Sequence, residues 1–276
     1  MLPSFLLSLR KGLEAALIVG IVLGALSKMH RSNLKRVVWT GTFGAAVISL
    51  VVALALYTFG ATLEGEAETI FEGFTMLLAA GVLTWMIFWM SRQARTIKSE
   101  LEADVKRATM QAGKSALFLL AFIAVLREGI ELALFLTAAA FTTDAQQTLF
   151  GGILGLAVAV VLGWGLFAAT IRLNLRRFFQ VTGALLILFA AGLVAHGVHE
   201  FNEAGWIPVI VEHVWDINWL LPENSTLGEI LKAVFGYNGN PSLTEIIAYI
   251  GYFLAIFIGI RRSQNAAPIL REAQAE

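Results

Sequence analysis

Seven separate stretches of this chain are apolar enough, and long enough, to cross a lipid bilayer, and no other feature narrows its fold so far. A helix spanning a hydrocarbon core about 30 Å thick needs about 20 mainly apolar residues, whereas runs of about 10 to 14 are what a soluble core helix shows. The runs predict spans over residues 2–28, 37–62, 67–90, 114–141, 149–170, 179–199 and 245–260. With 58% hydrophobic and only 14% charged residues, a 276-residue chain could not cover its apolar surface as a soluble globule. Backbone polar groups inside lipid must be satisfied within their own segment. The expected fold class is therefore an all-α integral membrane protein with seven transmembrane helices. The first apolar run is broken by Arg10, Lys11 and Glu14 and then continues, which disfavours a cleaved leader.

Charge sorts the loops. Lys28, His30, Arg31, Lys35 and Arg36 fill the first, Arg92 through Lys114 the third, and Arg172, Arg176 and Arg177 the fifth. Basic loops stay in the cytoplasm. Acids dominate the other side: Glu64 and Glu66, then Asp144, then a long segment with Glu200, Glu203, Glu212, Asp216, Glu223 and Glu229. The expected topology places the N-terminus outside and the C-terminus, with Arg261, Arg262 and Arg271, in the cytoplasm. Residues 91–113 mix both signs at helical spacing without proline and predict a cytoplasmic linker helix. The segment 201–244 carries Pro208, Pro222, Pro241, Trp206, Trp215, Trp219 and Tyr237, and reads as an extracytoplasmic loop anchored at the membrane interface.

Arg10-Lys11-Gly12-Leu13-Glu14 in the first span is echoed by Arg127-Glu128-Gly129-Ile130-Glu131 in the fourth. Three spans separate the copies, an odd number, so the two halves must face opposite ways across the membrane, the inverted-repeat plan of many transporters. The domain reading follows: residues 1–90 and 114–200 as two three-helix repeats, 91–113 as linker, 201–244 as outer loop, and 245–276 as an extra seventh helix with a cytoplasmic tail. Both motifs lie near the bilayer midplane, where a charge costs about 2.5 to 3.5 kcal/mol on insertion scales, so three charges in each copy argue for use. Glu128 and Glu131 share a helix face, and Arg127 can pair with Glu131 four residues on.

Carboxylates point to a hard cation held by oxygen, and a chain with no cysteine has no thiolate site. Residue types alone do not separate iron from manganese or calcium. Glu72, one turn into the third span, reads as the partner of a motif arginine. His196, His199, Glu200 and Glu203 share one helix face at the outer end of the sixth span, and read either as an entrance site for the ion or as headgroup-level polar residues. No zinc-protease pattern, nucleophile dyad or cofactor motif is present, which speaks against an enzyme. The last span lacks the lysine that a retinal photoreceptor needs.

At these residues the chain resembles the oxidase-dependent iron permease family, which includes a bacterial Efe-type branch and the fungal high-affinity permeases. The likeness rests on the paired Arg-Glu-Gly-x-Glu motifs, Phe71-Glu72-Gly73, Leu83-Thr84-Trp85-Met86 with Phe88-Trp89-Met90, Ile171-Arg172-Leu173-Asn174-Leu175, and Glu203-Ala204-Gly205. It implies import of iron across a bacterial cytoplasmic membrane, with iron as substrate, no permanently bound cofactor, and periplasmic Efe-type iron-binding or oxidising proteins as partners. Membrane lipid is the surrounding phase, and nothing points to nucleic acid. The resemblance assigns metal handling to Glu14, Glu128 and Glu131, with Arg10, Lys11, Arg127 and Glu72 as support. Another cation, such as manganese or lead, is the competing cargo.

One position departs from the family pattern: Lys11 stands where the second motif has Glu128. An ammonium about 4 Å from a metal ion repels each unit of its charge by ~4 kcal/mol at an effective dielectric near 20. Lys11 is expected to pair with Glu128 or Glu131 where the ion would sit, and to impair or retune transport.

Overall fold

A computed structural model describes residues 1–93, 97–109, 113–142, 144–167, 175–223 and 225–272. Those residues form helices α1 (Leu2–Lys28), α2 (Lys35–Ala61), α3 (Glu66–Gln93), α4 (Ile97–Arg107), α5 (Gly113–Thr142), α6 (Ala145–Phe167), α7 (Leu175–Glu203), α8 (Thr226–Phe235) and α9 (Leu243–Glu272), with a 3-10 turn at Ser32–Leu34. No strand occurs among the described residues. Arg95 and the Ile171-Arg172-Leu173-Asn174 stretch lie outside them.

Five segments are long and apolar enough to cross a membrane: Ser32–Ala61, Glu66–Trp89, Ala145–Leu166, Arg177–Glu203 and Leu243–Arg261. This is a multi-pass membrane protein. Its outer surface confirms the solvent it is built for, since Phe43, Val47, Leu50 and Val51 of α2 point outward while Arg10 and Lys11 are each 2% exposed. At 27 and 30 residues, α1 and α5 would extend about 40 and 45 Å at 1.5 Å per residue. The charges of the two motifs are what set their composition apart.

Four glycine contacts between helices fall at matching spacings from the two motifs. A Cβ on Gly151 of α6 would meet Ser4 and Met1 of α1, and one on Gly41 of α2 would meet Ala121 and Phe118 of α5. Gly12 of α1 abuts Ala159 of α6, and Gly129 of α5 abuts Ser49 of α2. An offset of 117 residues carries Met1, Ser4 and Gly12 onto Phe118, Ala121 and Gly129; an offset of 110 carries Gly41 and Ser49 onto Gly151 and Ala159. The contacts of Gly12 and Gly151 thus have counterparts in those of Gly129 and Gly41. The small residues let these backbones approach as they do in other membrane bundles, where packing rather than the hydrophobic effect holds helices together.

Direction is legible in the same contacts. The C-terminal half of α1, through Val22 and Leu26, packs with Leu117 and Ala121 near the start of α5, while Leu7 packs with Phe135 and Ala138 further along it. The two motif helices therefore run antiparallel. α3 and α7 also cross antiparallel, with Gly73 against Gly197 and Phe201, and Gly197 against Leu77.

Helix ends have ordinary causes. His30, at φ 56°, closes α1 in the left-handed conformation, and Arg31 N–H reaches back to the Leu26 carbonyl at 2.9 Å. Gly205, at φ 73°, ends α7 with Trp206 N–H on the Phe201 carbonyl at 3.0 Å. α4 lies within the expected linker, and Val105 packs in a cluster with Val22, Leu26 and Leu117.

Several boundaries differ from those the sequence predicts, α3 for one running on to Gln93. α7 runs on to Glu203, past the expected domain edge at 200, because Gly205 rather than the polar run from His199 stops it. α9 continues to Glu272, so the expected tail is helical as far as that residue. The outer segment, read as loop, contains α8: Ser225 caps its N-terminus by accepting from Gly228 N–H at 3.0 Å, and Gly236, at φ 68°, caps its C-terminus.

Candidate metal site

The two motif helices cross where their charges meet. In α1, Arg10 Nε donates to Glu14 Oε1 at 3.0 Å; in α5, Arg127 Nε donates to Glu131 Oε1 at 3.0 Å. These i, i+4 pairs occupy equivalent positions of the two halves. Each guanidinium orients one carboxylate and lies against an aromatic face, Arg10 over Phe179 at 5.8 Å and Arg127 over Trp85 and Trp89 at 5.3 and 4.7 Å.

Lys11 closes the arrangement. Its Nζ donates to Glu128 Oε2 at 2.7 Å, to Glu14 Oε2 at 3.2 Å, and to Glu131 Oε2. An ammonium has three N–H donors, and here all three are used on carboxylates. The ring of Phe135 lies 5.8 Å from the same nitrogen. Three cations face three carboxylates, so the cluster is formally neutral. Glu14, Glu128 and Glu131 are all buried, and pairing is what makes burial tolerable, since an unpartnered charge in such surroundings is strongly destabilising.

Lys11 and Glu128 are each other's counterparts in the two halves, and they face one another. Two glutamates so placed would repel by ~4 kcal/mol at 4 Å and an effective dielectric near 20. The lysine turns that repulsion into attraction, and its nitrogen takes the point on which the three carboxylates converge.

Glu72 is not the partner of a motif arginine. Arg10 and Arg127 hold carboxylates of their own helices, and the groups that act on Glu72 are Glu200, Glu68 and Glu203, all acidic. The reason is the α3–α7 crossing, where a Cβ on Gly73 would stand 3.2 Å from the Glu200 Cβ. Glu72 belongs to a group of acids at the α3–α7 crossing, with Glu68, Glu200 and Glu203.

The four candidates at the end of α7 part company. His199 binds Glu245 Oε1 through Nδ1 at 3.0 Å and Glu203 Oε1 through Nε2 at 3.2 Å, so both its nitrogens are engaged. His196 Nδ1 is bonded to the Gly192 carbonyl at 3.0 Å. Glu200 turns toward α3. Among the described residues, no group of three or more His, Asp or Glu stands ready to hold a metal ion, neither these four nor Glu14, Glu128 and Glu131 with the Lys11 ammonium among them.

Glu245 escaped the sequence reading. It is buried, accepts from Asn238 Nδ2 at 2.8 Å and from Ser242 N–H at 3.1 Å, and its own N–H donates to Ser242 Oγ at 3.3 Å. The signal was a capping box, Ser242-Leu-Thr-Glu245, at the start of α9. The spare capacity of its carboxylate then ties α9 to α7 through His199.

Residues 1–264 match the iron permease FTR1 family. The chain is similar to the ferrous iron permease EfeU of Escherichia coli O6:K15:H31, at 35% identity over 260 residues that cover 94% of each protein. It is similar also to the ferrous iron permease EfeU of Yersinia pestis, at 32% identity over 261 residues, 94% of this chain and 92% of the relative. No solved structure matches it.

Proposed function

Because the chain belongs to the iron permease FTR1 family, transporters rather than enzymes, we propose that it imports iron across a bacterial cytoplasmic membrane through the point where Glu14, Glu128 and Glu131 converge. The carrying observation is that convergence: three buried carboxylates from two antiparallel helices, Glu14 and Glu131 at equivalent positions and Glu128 opposite Lys11, meet at one atom. Oxygen donors from a dedicated set of acids suit a hard cation.

The proposed architecture has seven spanning helices, α1 and α5 joining the five apolar ones. α1–α3 and α5–α7 form inverted repeats, α4 is a cytoplasmic linker, 201–244 faces outward and α9 is the added seventh. Support comes from the antiparallel course of α1 and α5, the exchanged contacts of the two halves and the basic loops. The N-terminus of α1 then lies outside and the start of α5 inside. Glu68, Glu72, Glu200 and Glu203 stand at the outer end, where acids raise the local concentration of cations.

In this reading Lys11 is a tethered cation in the ion's place, and the chain carries iron more slowly than it would with glutamate there. The test is ⁵⁵Fe uptake into proteoliposomes, with ferrous and ferric iron offered separately. We expect uptake to rise at least tenfold in Lys11→Glu and to vanish in Lys11→Glu with Glu128→Ala. Uptake by Lys11→Glu no faster than by the unmodified chain would sink the assignment of Lys11. Manganese or lead competing better than iron would change the cargo and leave the site in place.

A further inference from the structure

Resting on the reading that iron passes the three carboxylates, a metal ion can take its ligands only if the Lys11 ammonium leaves them. Two cations cannot share that point, and all three donors of the ammonium are committed there at rest. Released into an apolar interior, the ammonium would be without compensation. An alternative acceptor must lie within reach of its side chain.

We propose that Ser8 is the second seat of the Lys11 ammonium, the place to which it withdraws when an ion enters. Ser8 is fully buried, and its Oγ makes no hydrogen bond to any described residue. That is unusual for a helical serine, whose hydroxyl readily bonds the carbonyl four residues back, as Ser27 and Ser49 do in this protein. Ser8 and Lys11 are three residues apart on one face of α1. Side chains on a helix lean toward its N-terminus, so the stem of Lys11 leans toward Ser8.

Gly152 of α6 is the neighbour that faces that hydroxyl. A carbon placed as the Cβ of Gly152 would stand 3.5 Å from Ser8 Oγ and 3.3 Å from the Leu136 side chain. Gly152, with no side chain, adds nothing to the crowding around the hydroxyl, and an alanine there would stand against it. The route is lined as well: Phe135, fully buried and four residues beyond Glu131, already offers its ring to the ammonium. Withdrawal trades three charged acceptors for a hydroxyl and a ring face, which explains why the resting position is among the carboxylates and why an arriving cation is needed to shift it.

Uptake of ⁵⁵Fe by a two-by-three set of proteins tests this: the unmodified chain, Ser8→Ala and Gly152→Ala, each with Lys11 and with Lys11→Glu. Ser8→Ala removes the acceptor, and Gly152→Ala crowds it. With Lys11 present we expect each to lower uptake about tenfold, the scale of one hydrogen bond to a charged group. With Lys11→Glu, which has no ammonium to seat, both should change uptake less than about twofold. Equal losses in both backgrounds would make Ser8 and Gly152 packing residues, and no loss in either would remove the seat. If the unmodified chain carries no iron while Lys11→Glu does, the ammonium never leaves and the proposal is wrong. Failure of the underlying reading shows separately: Lys11→Glu with Glu128→Ala would then take up iron as fast as Lys11→Glu, and the seat would fall with the site.

Discussion

Lys11 is the residue on which the interior balances. Removing one member of a buried charged group costs about 3 to 5 kcal/mol, because its partners are left uncompensated. Lys11→Met is therefore expected to destabilise the detergent-solubilised protein by about 3 kcal/mol in thermal unfolding. Lys28→Met is the control. Its pair with Glu102 at 3.2 Å lies in water, with the lysine side chain 72% exposed, and such pairs contribute about 0 to 1 kcal/mol. Similar losses for both would mean that the central cluster is no more than a surface ion pair moved indoors. Sequence alone makes Lys11 conspicuous, since a charge within an apolar run has few neighbours to explain it. It suggests a pairing with Glu128 or Glu131, but not that the ammonium holds both together with Glu14 of its own helix, which needs the crossing of α1 and α5. Glu72 shows the limit from the other side. Two arginines elsewhere in the chain made a pairing plausible, but each was already held by a carboxylate one turn along its own helix.

At the scale of helices, the tightest approach is at Gly129, where a Cβ would lie 2.0 Å from Ser49 Oγ and 2.5 Å from Ser49 Cβ. Gly129→Ala is expected to destabilise by about 1 to 3 kcal/mol, the usual cost of overpacking, and Ser49→Gly on the same chain to recover most of it. Thermal unfolding of the single and double variants decides this. An additive pair of losses would mean that α2 and α5 do not meet there. The long helices were readable from apolar runs because lipid demands length, and length survives uncertainty at the ends. α8 was not, because at ten residues it is too short for that signal. Its only marks are Ser225 before it and Gly236 after it, in a segment whose prolines and tryptophans also suit a loop. The end of α7 was obscured by its polar residues, which mark the membrane boundary but do not stop a helix.

The whole molecule is organised by which end of the bundle meets which solvent. With no native cysteine, single cysteines can report this without background. We expect a membrane-impermeant maleimide applied to intact cells to label cysteine at Trp219 or Val209, both exposed in the outer segment, and to spare one at Glu100 of α4 until the membrane is opened. The reverse pattern would invert the topology and with it the direction assigned to transport. Exchange of contacts between the halves was not visible in the sequence beyond the two motifs, because the remaining equivalences join unlike residues, such as Ser49 with Ala159 and Met1 with Phe118.

Since Lys11 and Glu128 are counterparts, Lys11→Glu combined with Glu128→Lys would keep every charge of the cluster and change only the helix from which the ammonium hangs. α5 runs opposite to α1, so the lysine would then lean toward the other face of the membrane. A plug hinged on one side behaves as a valve, and rehinging it should reverse the valve. The ratio of iron influx to efflux in oriented vesicles is expected to invert in the exchanged protein while its unfolding temperature stays near that of the unmodified chain. An unchanged ratio would mean that the lysine obstructs both directions alike.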